Sequence, residues 1–238
     1  MTLQKQVAIV TGATSGIGRA VARELDAAGM KIIVTGRRAD RLESLIGELT
    51  DASQIAGDLR EETLPRRLVD AAIEGYGRLD VVFNNAGIMD TAPIEDADLD
   101  RLCANVRINL EAAARMAYTA LKHFKTVRRG YLINTSSILG TKVRPTAGVY
   151  AGSKHGIEAL TEALRMEVAG SGVRVSCIEP GLVNTELQNH FEVHPRQFLN
   201  MKTPLEPEDI ARVVRLILEQ PEHVSIPRIM VLPSEQAM

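Results

Sequence analysis

The sequence predicts an α/β fold, a doubly wound, parallel, seven-stranded sheet with helices on both faces. Three observations carry that reading. Short apolar runs rich in Val and Ile alternate with longer amphipathic stretches almost from end to end. The runs are uninterrupted, which suits strands buried on both faces. No Pro/Gly/Ser-rich linker, low-complexity tract or repeat breaks the alternation, so residues 1–238 read as a single domain.

The first strand covers 7–10 (VAIV), and a glycine-rich turn leads it into a helix over 17–28 that Gly29 stops. A strand over 31–35 (KIIVT) and a helix over 39–49 follow, then a weaker strand at 53–56 just before Gly57-Asp58. Apolar residues at helical spacing mark 61–75, and DVVF at 80–83 is the next strand. A long helix is expected over 99–126, a strand over 131–135, and a second long helix over 150–169. Strands over 174–179 (RVSCIE) and 228–231 (RIMV) complete the sheet. Residues 182–204 hold two His and two Pro without a clear period, as a substrate loop or lid does.

Composition excludes several classes. With 45% hydrophobic and 24% charged residues the chain is ordinary for a globular protein, and it is long enough to bury its core without a disulfide or metal staple. No metal is expected. A net charge of −2 provides no basic field, so neither nucleic acid nor an anionic membrane is expected as a partner. Cys103 and Cys177 form no C-x-x-C pair and read as two buried small hydrophobes in a reducing compartment. The first residues run straight into a strand pattern, with no signal-peptide or membrane-spanning run. The sequon Asn134-Thr135-Ser136 is read as chance, and a cytoplasmic location is expected.

Between the first strand and first helix stands Thr11-Gly12-Ala13-Thr14-Ser15-Gly16-Ile17-Gly18. Glycines here permit a tight turn and let the backbone approach a pyrophosphate, whose charge sits on the helix N-terminal amides. The spacing G-x-x-x-G-x-G differs from the commoner G-x-G-x-x-G, and a glycine triplet alone is often only a turn; its place in the chain favours the dinucleotide reading. A ribose-reading acid is expected at the end of the second strand in NAD-binding units. Here that strand ends Thr35-Gly36-Arg37-Arg38. An acid would repel a 2′-phosphate, whereas a guanidinium pairs with it, so NADP(H) is favoured over NAD. Two solvated turn arginines are the bland alternative, and Asp40, beyond the strand, reads as a helix cap. Asp58, followed by Leu59, could accept from an adenine amine, and Asn84, with Ala86 and Gly87, follows the fourth strand where ligands gather.

Tyr150 and Lys154 lie one helical turn apart and share a face. A phenol titrates near 10, too high for neutral acid/base work, and a nearby ammonium is expected to lower it. Ser137, closing a strand at Thr135-Ser136-Ser137, could hold a substrate oxygen. Tyr76, Tyr118 and Tyr131 lack such partners and read as structural.

Taken together, TGATSGIG (11–18), GDL (57–59), NNAG (84–87), INL with Asn109, Ser137, YAGSK (150–154) and PGLVNT (180–185) resemble the short-chain dehydrogenase/reductase family, in its compact one-domain branch. The resemblance runs from about residue 7 to 231. It implies a Rossmann-type fold and hydride exchange between a nicotinamide and a carbonyl or alcohol carbon of a small-molecule substrate. It further implies Tyr150 as general acid, Ser137 as orienter of the carbonyl, and Lys154 as binder of the nicotinamide ribose. Asn109 is implied to hold a water in a proton relay, with Pro180, Gly181, Val183 and Thr185 around the carboxamide. TGRR, IEPGLV-x-T-E-L and a C-terminal M-x-x-P are similar to bacterial NADP-dependent 3-hydroxy acid/serine dehydrogenases and clavaldehyde-reducing enzymes. A non-catalytic dinucleotide sensor on the same fold does not need Asn109, Ser137, Tyr150 and Lys154 together. A cofactor-free halohydrin-type lyase typically has arginine for Lys154 and lacks the glycine loop. A homo-oligomer, tetramer or dimer, is expected from the family and from the two long helices. Lys142, Arg144, Arg196, Lys202, His190 and His194, with four Phe and no Trp, suggest a small polar substrate bearing an anionic group.

Overall fold

The computed structural model describes residues 2–237; Met1 and Met238, the ends of the expected domain, lie outside them. Seven strands, β1 (Val7–Thr11), β2 (Lys31–Gly36), β3 (Ala52–Ala56), β4 (Val81–Asn84), β5 (Gly130–Thr135), β6 (Val173–Pro180) and β7 (Arg228–Val231), form one sheet in the order β3-β2-β1-β4-β5-β6-β7. All neighbours are parallel, with Ala8 opposite Ile32 on one side and Val81 on the other. The order reverses between β1 and β4, which opens a crevice at their carboxyl ends.

Side-chain alternation explains why these runs are apolar throughout. In β1, Ala8 and Val10 enter one core while Val7 and Ile9 enter the other. Ile32 and Val34 against Ile33, and Val81 and Phe83 against Val82, repeat the division in β2 and β4. The first core is covered by α1 (Gly16–Ala27), α2 (Ala39–Ile46) and α8 (Pro207–Glu219), the second by α3 (Leu64–Tyr76), α5 (Ala113–Val127) and α6 (Gly148–Glu167). Each fully buried aliphatic side chain contributes roughly 1.5–3 kcal/mol relative to exposure.

Three features depart from the sequence reading. The expected helix over 99–126 is broken: α4 (Leu99–Val106) passes into a π-helical turn (Arg107–Ala112) before α5 resumes. Cys177 is buried as expected, but Cys103 is exposed, because the inward-pointing residue of α4 is Asn105. Helix α8 adds an element beyond those expected: Glu206 and Asp209 form a capping box, Pro207 opens the first turn, and Ile210, Val214, Ile217 and Leu218 are buried at helical spacing. Within the irregular stretch lie a 3₁₀ turn (Glu186–Gln188) and a short helix α7 (Pro195–Phe198). Among the described residues no helix is long and apolar enough to cross a membrane.

Candidate active site

The crevice at the switch point is a cavity of about 710 Å³. Its floor at one end is the turn after β1. Gly12 (φ 68°) and Gly16 (φ 52°) take left-handed conformations that favour glycine. A Cβ on Gly12 would lie 2.8 Å from Ala86 Cα, and one on Gly18 would strike the Gly12 carbonyl oxygen. Gly12 therefore allows the β4 loop to approach, and Gly18 allows α1 to close on its own turn. Thr11 fixes that approach, since its Oγ1 accepts from the Asn85 and Ala86 amides at 2.9 and 3.1 Å. Helix α1 starts without a side-chain cap and without an acid in its first turn. Ser15, Gly16 and Ile17 at that start line the cavity. Uncapped first-turn amides facing a cavity suit a phosphate, so this donor set fits a dinucleotide.

Arg37 and Arg38 line the same end. Arg38 is fastened to the glycine turn, donating to Thr14 Oγ1 and Ser15 Oγ, each at 2.8 Å. It also pairs with Glu186 at 2.8 Å, and Arg41 reaches the same carboxylate at 2.6 Å. Those two cations hold the Glu186 carboxyl below the usual carboxylate range. Arg37 is exposed and makes no ion pair among the described residues. Asp58 lines the cavity beside Leu59, but Arg60 engages both its oxygens and keeps its carboxyl low.

The predicted residue Asn84 faces away from the cavity. Its amide donates to Ala113 O and Asn134 Oδ1, both at 2.9 Å, in a buried chain that continues from Asn134 to Thr161. Strand alternation turns the next residue, Asn85, toward the cavity instead, together with Ala86 and Gly87.

At the other end Ser137, Tyr150 and Lys154 come together. The Ser137 hydroxyl lies beside the Tyr150 phenol and accepts from the Leu139 amide at 3.2 Å. Lys154 Nζ donates to Thr135 O at 2.9 Å and sits 5.9 Å from the Tyr150 ring centroid. Both groups are buried, and burial decides their titration. It pushes the Tyr150 phenol up, opposed by the Ser137 hydroxyl and the Arg144 guanidinium. It pulls the Lys154 ammonium down to about 8, opposed by Cys177 and Glu158 behind it. The expected lowering of the phenol by Lys154 is not what the structure shows: burial raises the phenol, and the neighbours that oppose it are Ser137 and Arg144.

Asn109 lies in the π turn, beneath the cavity wall rather than on it. Its Oδ1 accepts from Ile88 N at 2.8 Å, and its Nδ2 donates to Ile88 O and Ser153 Oγ at 2.9 and 3.2 Å. A Cβ on Gly87 would lie 3.1 Å from Asn109 Oδ1 and 3.7 Å from Lys154 Nζ, so a bare glycine lets these groups share one site. π turns interrupt the regular amide ladder and are frequent at functional sites.

Pro180, Gly181, Val183 and Thr185 form the roof after β6. Thr185 Cγ2 would be 3.0 Å from a Cβ on Gly16, so this roof rests directly on the glycine turn. Gln236, from the C-terminal tail, accepts from the Leu182 amide at 2.9 Å and lines the cavity. No periodicity or motif marks that tail residue in the sequence. Tyr131 is structural as expected, its hydroxyl bonded to Ser176 Oγ at 2.8 Å.

Comparison with known proteins agrees with this geometry. The family model described as short chain dehydrogenase matches residues 6–195. A probable NADP-dependent dehydrogenase of Haemophilus influenzae is 34% identical over 99% of this chain and 96% of its own length. An uncharacterised oxidoreductase of Staphylococcus aureus is 33% identical over 97% of this chain and 98% of its own. Among solved structures, the closed form of a serine dehydrogenase complexed with NADP+ superposes with a TM-score of 0.92 at 28% identity, covering 98% of this chain and 97% of the other.

Proposed function

The chain belongs to the short-chain dehydrogenase family, and from that premise we propose that it is an NADP(H)-dependent oxidoreductase interconverting a carbonyl and an alcohol on a small polar substrate. The observation that carries the reading is one continuous cavity. It runs from Arg37 and Arg38, over the uncapped start of α1, to the Ser137–Tyr150–Lys154 group. Two names support the cofactor: the Haemophilus relative is a probable NADP-dependent dehydrogenase, and the serine dehydrogenase holds NADP+.

The nicotinamide, when bound, supplies a hydride to the carbonyl carbon or accepts one from the alcohol carbon. The protein's own part is the proton and the oxygen. Ser137 donates toward the substrate oxygen and fixes its direction. Tyr150, whose phenol burial keeps protonated, delivers its proton to that oxygen as the carbonyl π electrons move onto it. The Lys154 ammonium stabilises the phenolate left behind and faces the ribose side of the site. Asn109 positions the Ile88 backbone and Ser153 around this group, and its part in returning the proton to Tyr150 is to hold those groups in register. Leu59, Ala86 and Gly87 belong to the nucleotide wall, Thr185 and Val183 to the roof. A homo-oligomer, tetramer or dimer, and a cytoplasmic setting complete the reading; Cys103 and Cys177 are both free thiols.

The deciding experiment pairs turnover with binding. Tyr150→Phe should lower NADPH-dependent reduction of a reactive aldehyde by about a hundred- to ten-thousandfold, while NADPH affinity changes little. Activity retained at more than a few per cent would mean that another group supplies the proton.

A further inference from the structure

Three acidic side chains line the cavity, and arginines hold all of them. Asp58 is paired with Arg60 and Asp90 with Arg101, each at 2.6 Å; Glu186 lies between Arg38 and Arg41. Arg144 differs. It lines the same cavity, is half-buried, and pairs with no carboxylate among the described residues. Its guanidinium stacks 5.0 Å from the ring centroid of Phe198, on α7 of the irregular segment, and Phe198 also lines the cavity. The neighbour that favours its charge is the Tyr150 hydroxyl.

The other cations weighed from the sequence are placed differently. Arg196 donates to the backbone carbonyls of Met201 and Lys202 at 3.2 and 2.6 Å, which ties its own loop together. His194 caps the Arg196 amide at 3.1 Å, and His190 sits 3.7 Å from Asp90. Lys142 lines the cavity but is exposed. Arg144 alone among them combines partial burial, contact with the cavity, closeness to the reacting end and the lack of an acid.

A guanidinium cannot shed its charge as a histidine or lysine can, so partial burial leaves donors in need of an acceptor. The acceptor that fits a planar fork is a planar carboxylate. On the reading that Ser137 and Tyr150 engage the reacting oxygen, we propose that Arg144 binds a carboxylate on the same substrate and makes the enzyme selective for short carboxylate-bearing aldehydes or ketones. Phe198 sets its ring against the guanidinium, and α7 carries that ring to the cavity wall. Because Arg144 also neighbours the phenol, the bound carboxylate and the reacting carbonyl lie a short chain apart.

The test compares two four-carbon aldehydes, succinic semialdehyde and butanal, with NADPH. Wild type should prefer succinic semialdehyde in kcat/KM by about tenfold or more. Arg144→Ala should reduce that ratio by about ten- to a hundredfold, chiefly through KM, and Arg144→Lys, with the charge but not the fork, should fall between. In parallel, succinate titrated calorimetrically into the NADP+-saturated protein should bind wild type and bind Arg144→Ala at least about tenfold more weakly. A wild-type ratio at or below one, a ratio unchanged in Arg144→Ala, or no succinate binding by wild type overturns the proposal. The titration needs no turnover, so the two readings fail separately. A protein that binds succinate through Arg144 but oxidises no NADPH loses the redox reading alone. One that reduces butanal and ignores succinate loses the carboxylate site alone.

Discussion

Lys154 shows how burial reshapes a pair that looks simple in sequence. One helical turn from Tyr150, it is a natural phenolate stabiliser, yet Nζ bonds Thr135 O and burial draws its titration to about 8. Its folded value lies below that of an exposed lysine. The folded protein therefore holds fewer protons than the unfolded chain between about pH 8 and the ordinary lysine range, and this residue's contribution to stability rises with pH across that window. On the proposed mechanism activity runs the other way, because only the ammonium stabilises the phenolate. We expect kcat/KM for carbonyl reduction to fall above about pH 8. Lys154→Arg, at a lower absolute rate, should move that limb to higher pH; an unmoved limb would assign it to another group. At the opposite end, Arg37 lines the cavity and makes no ion pair among the described residues, its charge felt only through space by Asp58. Arg37→Asp should weaken NADPH relative to NADH by about ten- to a hundredfold, the worth of one charge-assisted contact. Combining it with Arg38→Leu should extend the change, as measured with both coenzymes.

The 3₁₀ turn over Glu186–Gln188 is the element least foreseen. It follows Thr185, whose methyl group lies against Gly16, and it delivers the Glu186 carboxylate to Arg38 and Arg41. That carboxylate stands where a 2′-phosphate would compete for Arg38. The pairs are about half exposed, so each is worth little, and solvent screens them. Glu186→Gln should therefore tighten NADPH modestly, by about two- to fivefold, and leave NADH unchanged, in a fluorescence titration of both coenzymes. Equal changes for the two coenzymes would show that Glu186 acts on the roof and not on the 2′-phosphate end. The break between α4 and α5 has a comparable logic. The π turn seats Asn109 under Ile88, where an unbroken helix over 99–126 was expected.

For the molecule as a whole, the outer faces of three helices are informative. Leu99 and Val106 on α4, Tyr118 on α5 and Met166 on α6 are 71%, 40%, 48% and 59% exposed. Both α5 and α6 bury their other faces in the second core, so this apolar surface is additional to it. The expected outcome is a tetramer or dimer by light scattering at micromolar concentration, shifted toward smaller species by Tyr118→Lys combined with Met166→Lys. A wild-type monomer under those conditions would contradict the assembly.

What the sequence determined was local or periodic. Strand runs, the glycine turn between the first strand and helix, the TGRR strand end and the spacing of Ser137, Tyr150 and Lys154 were legible because neighbouring residues set backbone sterics and side-chain phase. The capping box and apolar stripe of helix α8 are equally local signals. The tertiary structure decided what depends on contacts between distant positions. It turned Asn84 toward Ala113 of α5 and Asn85 toward the cavity, exposed Cys103 and brought Gln236 from the tail onto Leu182. It tied Arg196 into its own loop and left Arg144 facing the cavity with no acid paired to it among the described residues. Burial and pairing sum over side chains far apart in the chain, and no window of neighbouring residues contains that sum; desolvation, pairing and the surroundings of the six cations therefore took shape only when the segments met.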